Sequence, residues 1–291
     1  MSAAEDVAAA MPELERWIGR TRIVEEEIAL SAVRRIAATF DRPPEDFVRG
    51  GELPPHWFGL FFADNAPQSA IGPDGHPRKG EFLPPIPLPR RMAAGRRVRI
   101  PGRLRVGDAA AKRIEVAAIT PKAARTGQIV VLTMRHTILA RGETIAVDEF
   151  DAVYREAVPP GAASKATAPV AAPEGAAWSD TVPLDSVLVF RYGAITWNAH
   201  RIHYDADYAR GTEGYPAVVQ NGGLTMQLLL ESALRRAPGP LTGYTARLVR
   251  PLFIGDPVTL CGAAPEGGTM RAWAADKDGL LAAEMMLEFG A

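Results

Sequence analysis

Two of the five histidines, His200 and His203, stand three residues apart in the segment Thr196-Trp-Asn-Ala-His-Arg-Ile-His-Tyr-Asp205. Imidazole titrates near neutral pH, so it can take a proton from water and return it without extreme conditions. Asn198 lies within the same turn of chain and offers an amide oxygen and an NH2 to a water or a backbone group. The cluster fits acid–base chemistry, and it equally fits a polar loop with a structural histidine. A metal is the other use of such residues, with Asp205 and Asp207 as further ligands. His-x-x-His without cysteine falls short of the usual zinc set, so no metal is expected.

A second group of residues could serve the same chemistry. Gln220-Asn221-Gly222-Gly223-Leu224 precedes an apolar run of helical spacing. The first N–H groups of a helix lack partners within it and sit at the positive end of its dipole. Glycine lets a substrate approach such a backbone closely. Gly222 and Gly223 could therefore hold the oxygen of a carbonyl on which charge develops. They could also simply ease the chain into a helix. Arg191, Arg201 and Arg250, and the first-half cluster Arg90, Arg91, Arg96, Arg97 and Arg99, are either solvated surface charge or partners for phosphate and carboxylate groups.

The elements that must position these residues come next. Ser186–Ile195 reads as a β-rich segment. Val218–Arg236 reads as a helix closed by Pro238-Gly239. Leu241–Val249, Pro257–Ala263, Thr269–Ala275 and Leu280–Phe289 read as strands separated by glycine-containing turns. The first half repeats this order less neatly. Its helix is expected over Val24–Phe40, a proline-rich excursion fills 53–90, and strands follow at Arg97–Val106, Lys112–Thr120, Ile129–Leu139 and Glu143–Tyr154. Residues 157–177, rich in proline and alanine, divide the two as a surface linker. The expected units are 1–156 and 178–291. One helix per four- or five-stranded sheet must lie across a sheet face to share its core. The expected class is α+β, as a double hot-dog in which each curled antiparallel sheet wraps a central helix. Two unrelated α+β domains would show the same pattern.

The bulk numbers exclude several classes. The chain has 291 residues, 33 Lys+Arg against 34 Asp+Glu, and a net charge of −1. Nucleic-acid binders usually present a basic excess, so no nucleic-acid partner is expected. No apolar run approaches the length of a bilayer span, and the first residues carry acids where a secretory signal would be basic; a cytoplasmic protein is expected, with no membrane contact. The single cysteine, Cys261, cannot form a disulfide within the chain and reads as a core thiol.

The stretch 190–224 resembles the hydratase motif of the MaoC-like hydratases, Ser-Gly-Asp-x-Asn-Pro-aliphatic-His, with its downstream His-Gly step into the long helix. Anchored on His203, the resemblance makes His203 the catalytic histidine and puts Asn198 where the family has a catalytic aspartate. Asn221-Gly222 falls on the His-Gly step, whose glycine N–H binds the thioester carbonyl; His200 and Asn221 are supporting candidates. The variant Thr-aromatic-Asn-x-His-x-Ile-His-Tyr-Asp is similar to one branch: the mitochondrial-type hydroxyacyl-thioester dehydratases and the mesaconyl-CoA and itaconyl-CoA hydratases. Leu53-Pro-Pro-His-Trp57, Ile71-Gly-Pro-Asp-Gly-His-Pro77, Gly80–Met92 and Val147–Arg155 resemble the first half of that branch. The resemblance implies a hydro-lyase that adds or removes water across the α,β double bond of an enoyl-CoA, a small branched dicarboxylyl-CoA in that branch. It implies a first half without a catalytic histidine of its own, and no cofactor beyond the CoA of the substrate. It also implies a self-sufficient double hot-dog, with homodimers or larger assemblies left open. A thioesterase on the same fold, using Asp205, Asp207 or Glu213, and a non-catalytic thioester-binding module are the rival readings.

Overall fold

The computed structural model describes residues 2–124, 127–158 and 168–290; the central part of the expected linker, 159–167, lies outside the described residues. In chain order the helices and strands are α1 (Ala3–Glu15), β1 (Thr21–Glu27), α2 (Leu30–Thr39), β2 (Arg90–Arg99), β3 (Ala109–Ala124), β4 (Gly127–Ala140) and β5 (Glu143–Arg155). Then come β6 (Trp178–Pro183), α3 (Ser186–Ile195), α4 (Ala206–Gly211), α5 (Gly222–Leu234), β7 (Leu241–Leu248), β8 (Pro257–Gly262), β9 (Thr269–Ala275) and β10 (Leu281–Phe289). No helix among the described residues is long and apolar enough to cross a membrane.

The strands form one ten-stranded antiparallel sheet in the order β1-β3-β4-β5-β2-β7-β10-β9-β8-β6. Each set of five has the same internal order, and the sets meet where β2 pairs with β7, from Gly95 opposite Arg247 to Arg99 opposite Gly243. This is the double hot-dog expected from the sequence. The main core gathers Val33 and Ile36 of α2, Leu224, Leu229 and Leu230 of α5, and inward residues of both strand sets. A second cluster lies under α1, where Val7, Leu14 and Trp17 cover Ile114, Leu132, Met134 and Tyr154.

The two sets differ in their central helix. α5 spans 13 residues, with nine of them buried. The first half carries only the short 3-10 turn Pro55–Leu60 at the corresponding point in its chain, with Pro54 at its cap and Pro55 as its first residue. That turn is fixed to α5 through one carboxylate. Glu231 Oε1 accepts from Trp57 Nε1 at 2.7 Å and pairs with His56 Nε2 at 2.9 Å, while Oε2 takes Arg42 Nη2 at 2.6 Å. Burial opposes the charge, but these partners prevail and hold Glu231 down to about 2.

Three expectations are corrected. Ser186–Ile195 is a helix, not a strand: Asp185 caps it by accepting the Leu188 N–H at 2.7 Å, and Val187 and Phe190 remain exposed. Val24–Phe40 divides into β1 and α2, since Thr21–Glu27 pairs residue by residue with β3. The strand expected at Arg97–Val106 lies earlier, at Arg90–Arg99.

Candidate active site

The motif segment begins where α3 ends. Trp197 has φ +52, a left-handed residue that turns the chain sharply, and the Asn198 N–H then donates to Gly193 O at 2.9 Å. Asn198 Oδ1 accepts the His200 N–H at 3.0 Å, so this amide oxygen shapes the turn and its NH2 is left over. A 3-10 turn, Arg201–His203, follows. The chain is then tied to the strand-like residues ahead of α5, because Val219 N–H donates to Ile202 O at 2.9 Å.

That tie brings His203 to the start of α5. Its Nδ1 lies 2.8 Å from Val219 O, and a carbonyl can only accept, so Nδ1 carries the proton and Nε2 keeps its lone pair. Burial lowers the His203 pKa and the Val219 hydrogen bond only partly opposes this, which favours the neutral base. Asn221 caps α5 by accepting the Gly223 N–H at 2.7 Å. The Gly223 N–H is thus taken, whereas the Gly222 N–H has no partner among the described residues. A side chain at Gly223 would stand 2.5 Å from the Tyr192 hydroxyl, so glycine is what lets α3 and α5 approach here.

The first half contributes a loop that the sequence left unplaced. Gly75, at φ +89, lies so close to the motif that a Cβ would stand 1.8 Å from Ala199 O. The Arg201 N–H donates to Asp74 O at 2.9 Å. This docks His76 on His200, ring centroids 4.2 Å apart, and His200 meets His203 edge to face at 5.3 Å. Asp74 Oδ2 lies 3.2 Å from His76 Nδ1 and 3.4 Å from Arg91 Nη2. Burial, then the neighbouring His203, drives His200 down to about 3, so it is neutral at any ordinary pH.

Asp74, His76 and His200 offer ligand atoms within 4.8 Å of one another. Both Asp74 oxygens are already engaged, one by the His76 N–H at 3.0 Å and the other by Arg91 and the His76 ring, and a guanidinium beside the carboxylate opposes a cation. Of the residues weighed as ligands from spacing, only His200 belongs to this group. Asp205 is spent on Arg201 Nη2 at 2.7 Å and on capping α4.

The three arginines proposed for phosphate or carboxylate differ in their surroundings. Arg201 is held by Asp205 and by Pro73 O at 3.1 Å, and stacks on Tyr208 at 4.2 Å. Arg250 is ion-paired with Asp276 at 3.2 Å. Arg191 is exposed on α3 and has no partner among the described residues.

Fold and site together define a class. Residues 56–254 match the family of hydroxyacyl-thioester dehydratases type 2, and the chain belongs to this MaoC-like family of double hot-dog hydro-lyases. Over 275 residues, 94% of this chain and 97% of the other, it is 40% identical to the mesaconyl-C(4)-CoA hydratase of Chloroflexus aurantiacus. The fold is shared with a MaoC-like dehydratase from Phytophthora capsici, at a TM-score of 0.70 and 13% identity over 94% of this chain and 96% of that one. It is shared too with a Mycobacterium tuberculosis protein described as a double hotdog, at a TM-score of 0.55 and 14% identity over 93% of this chain and 95% of that one.

Proposed function

We propose that this protein hydrates, and in reverse dehydrates, a short enoyl-CoA that carries a free carboxylate, a mesaconyl-C4-CoA-like ester. The observation that carries the acid–base part is the His203 Nδ1–Val219 O hydrogen bond, which leaves Nε2 as the base beside the start of α5. In hydration His203 Nε2 takes a proton from water as the water oxygen bonds to the β-carbon. The π electrons move onto the thioester oxygen, and the Gly222 N–H, aided by the helix dipole, stabilises that charge. The protonated His203 then gives its proton to the α-carbon, so both hydrogens of the water end in the product. Addition on one face follows from using one group for both transfers.

Asn198 holds the water through its NH2, since its oxygen is committed to the His200 N–H. Gly223, with its N–H on Asn221, serves by letting the two helices approach. The CoA phosphates fall to exposed arginines, Arg191 first. This chemistry is carried by side chains and backbone, with CoA entering as part of the substrate, and we place it in the cytoplasm.

The test is a panel of mesaconyl-, itaconyl-, crotonyl- and longer enoyl-CoA esters, followed by mass for gain of one water and by DTNB for free thiol. Water gain without thiol release is expected. Thiol release instead would make the protein a thioesterase, and no turnover of any ester would retire the reading.

A further inference from the structure

The concave face of the first strand set should be apolar, yet a band of charged groups crosses it between the two hydrophobic clusters. Lys112 on β3, His136 on β4, Asp148 on β5 and Arg96 on β2 share that face. Asp148 Oδ2 lies 3.2 Å from Arg96 Nη2 and 3.4 Å from His136 Nδ1. Lys112 Nζ donates to Phe62 O at 2.7 Å. The band runs to the candidate active site: Arg96 hydrogen-bonds the Tyr244 hydroxyl of β7 and has Tyr192 of α3 nearby, and the Tyr192 hydroxyl is the group packed against Gly223. A side chain at Gly59 would stand 3.7 Å from both Arg96 Nη1 and Gln227 Nε2, one turn along α5 from Gly223.

The charges in this band do not balance. Arg22 is paired with Asp64 at its outer end. Burial keeps His136 toward its neutral form. Lys112 is lowered to about 8 by burial and by Arg22 and Arg96, and is still mainly charged at neutral pH. Two cations, Arg96 and Lys112, therefore face one carboxylate, Asp148. Arg96 Nε is buried with no partner, Asp148 Oδ1 likewise, and the Tyr192 hydroxyl has none among the described residues. A surplus cation in a mostly buried band, beside a buried donor with no acceptor, is costly unless something supplies the missing anion.

We propose that this band is a carboxylate-binding subsite, in which Arg96, assisted by the Tyr192 hydroxyl and Lys112, binds the free carboxylate at the acyl end of the substrate. The inference rests on the hydratase reading for where the thioester lies. In a C4 thioester of mesaconate the free carboxylate sits on the carbon that water attacks, so a substrate with its carbonyl on Gly222 turns that group toward Tyr192 and Arg96. Asp148 then fixes the guanidinium, and its open oxygen can accept from a hydroxyl on the same carbon.

The experiment measures wild type, Arg96→Met with Asp148→Asn, so that neither member of this ion pair is left without the other, and Tyr192→Phe. Mesaconyl-C4-CoA and crotonyl-CoA are the substrates, with thermal melting to establish folding. Wild type should prefer the carboxylate ester. The double variant should lose that preference by about a hundredfold or more in kcat/KM ratio while keeping its rate on crotonyl-CoA. Tyr192→Phe should lose part of it, and decides the matter should the double variant not fold. A wild type without preference, or variants with unchanged preference, overturns the subsite. Calorimetric binding of succinyl-CoA and butyryl-CoA separates the two readings. A succinyl preference lost in the variants supports the subsite even without turnover, and equal binding refutes it even with turnover.

Discussion

The His76 imidazole lies 4.2 Å from that of His200, so a loop of the first half packs against the histidine pair of the second. The approach depends on Gly75, where φ is +89 and a Cβ would stand 1.8 Å from Ala199 O. Gly75→Ala should push the loop off the motif and displace His200. Shifts near 1 Å at reacting groups cost about a hundredfold in rate. Progress curves at the enoyl-thioester absorbance should show a loss of about that size, with melting lowered by only a few degrees; unchanged kcat/KM would mean that this contact does not hold the site.

His203→Gln keeps size and polarity but removes the titrating base. The expected fall in kcat is about a hundredfold or more, with the circular dichroism spectrum unchanged. Near-normal turnover by the folded variant would sink the assignment of His203.

Activity should also depend on pH in a defined direction. The His203 pKa is lowered, so the free base is present at neutral pH and is lost only as pH falls below the ordinary histidine value of 6.5. kcat/KM should therefore be flat near pH 7 and decline on the acid side. A profile still rising above pH 8 would point to a different base.

Stability should follow His200. Folded, it titrates near 3 against 6.5 for an ordinary histidine, so the unfolded chain binds more protons between these values. Its contribution is complete above pH 6.5 and is lost progressively as pH falls toward 3. From pH 7 to 5 that loss is about 2 kcal/mol. Urea unfolding at the two pH values should show His200→Gln losing less than wild type by about that amount; equal losses would contradict the burial of a neutral imidazole.

Glu231 anchors Trp57, His56 and Arg42 to α5. Glu231→Ala strands these donors and a cation, and should destabilise by about 3–5 kcal/mol, whereas Glu231→Gln should cost less. Guanidinium titration of both variants decides this, and equal midpoints for alanine and wild type would show the network to be energetically idle.

The legible parts of the sequence were those governed by local period. α5 and β7 to β10 fall within a few residues of expectation because apolar spacing and glycine turns mark them. The Ser186–Ile195 helix escaped because Val187, Leu188, Val189 and Phe190 look like a strand until Asp185 is seen as its cap. His203 and Asn198 could be singled out from spacing and resemblance. Asp74 and His76 could not be placed, since nothing local links them to His200; their contact is made by the fold. Arg96 was visible only as one of a basic cluster. Its inward position follows from strand alternation beside outward Arg97, which pairs with Asp151 at 2.7 Å, once the true start of β2 is known.

Pairing β2 with β7 also decides what the molecule shows to other chains. Two five-stranded sheets kept apart would present four open edges; joined, they leave two, β1 and β6. The first carries Arg22, Glu25, Glu26 and Glu27, and the second carries Asp180 and ends in Pro183. Charge and a missing amide make both poor templates for a further strand. The sheet is thus terminated at each end by composition, and growth by strand addition into fibres is disfavoured at the same stroke that unites the two halves.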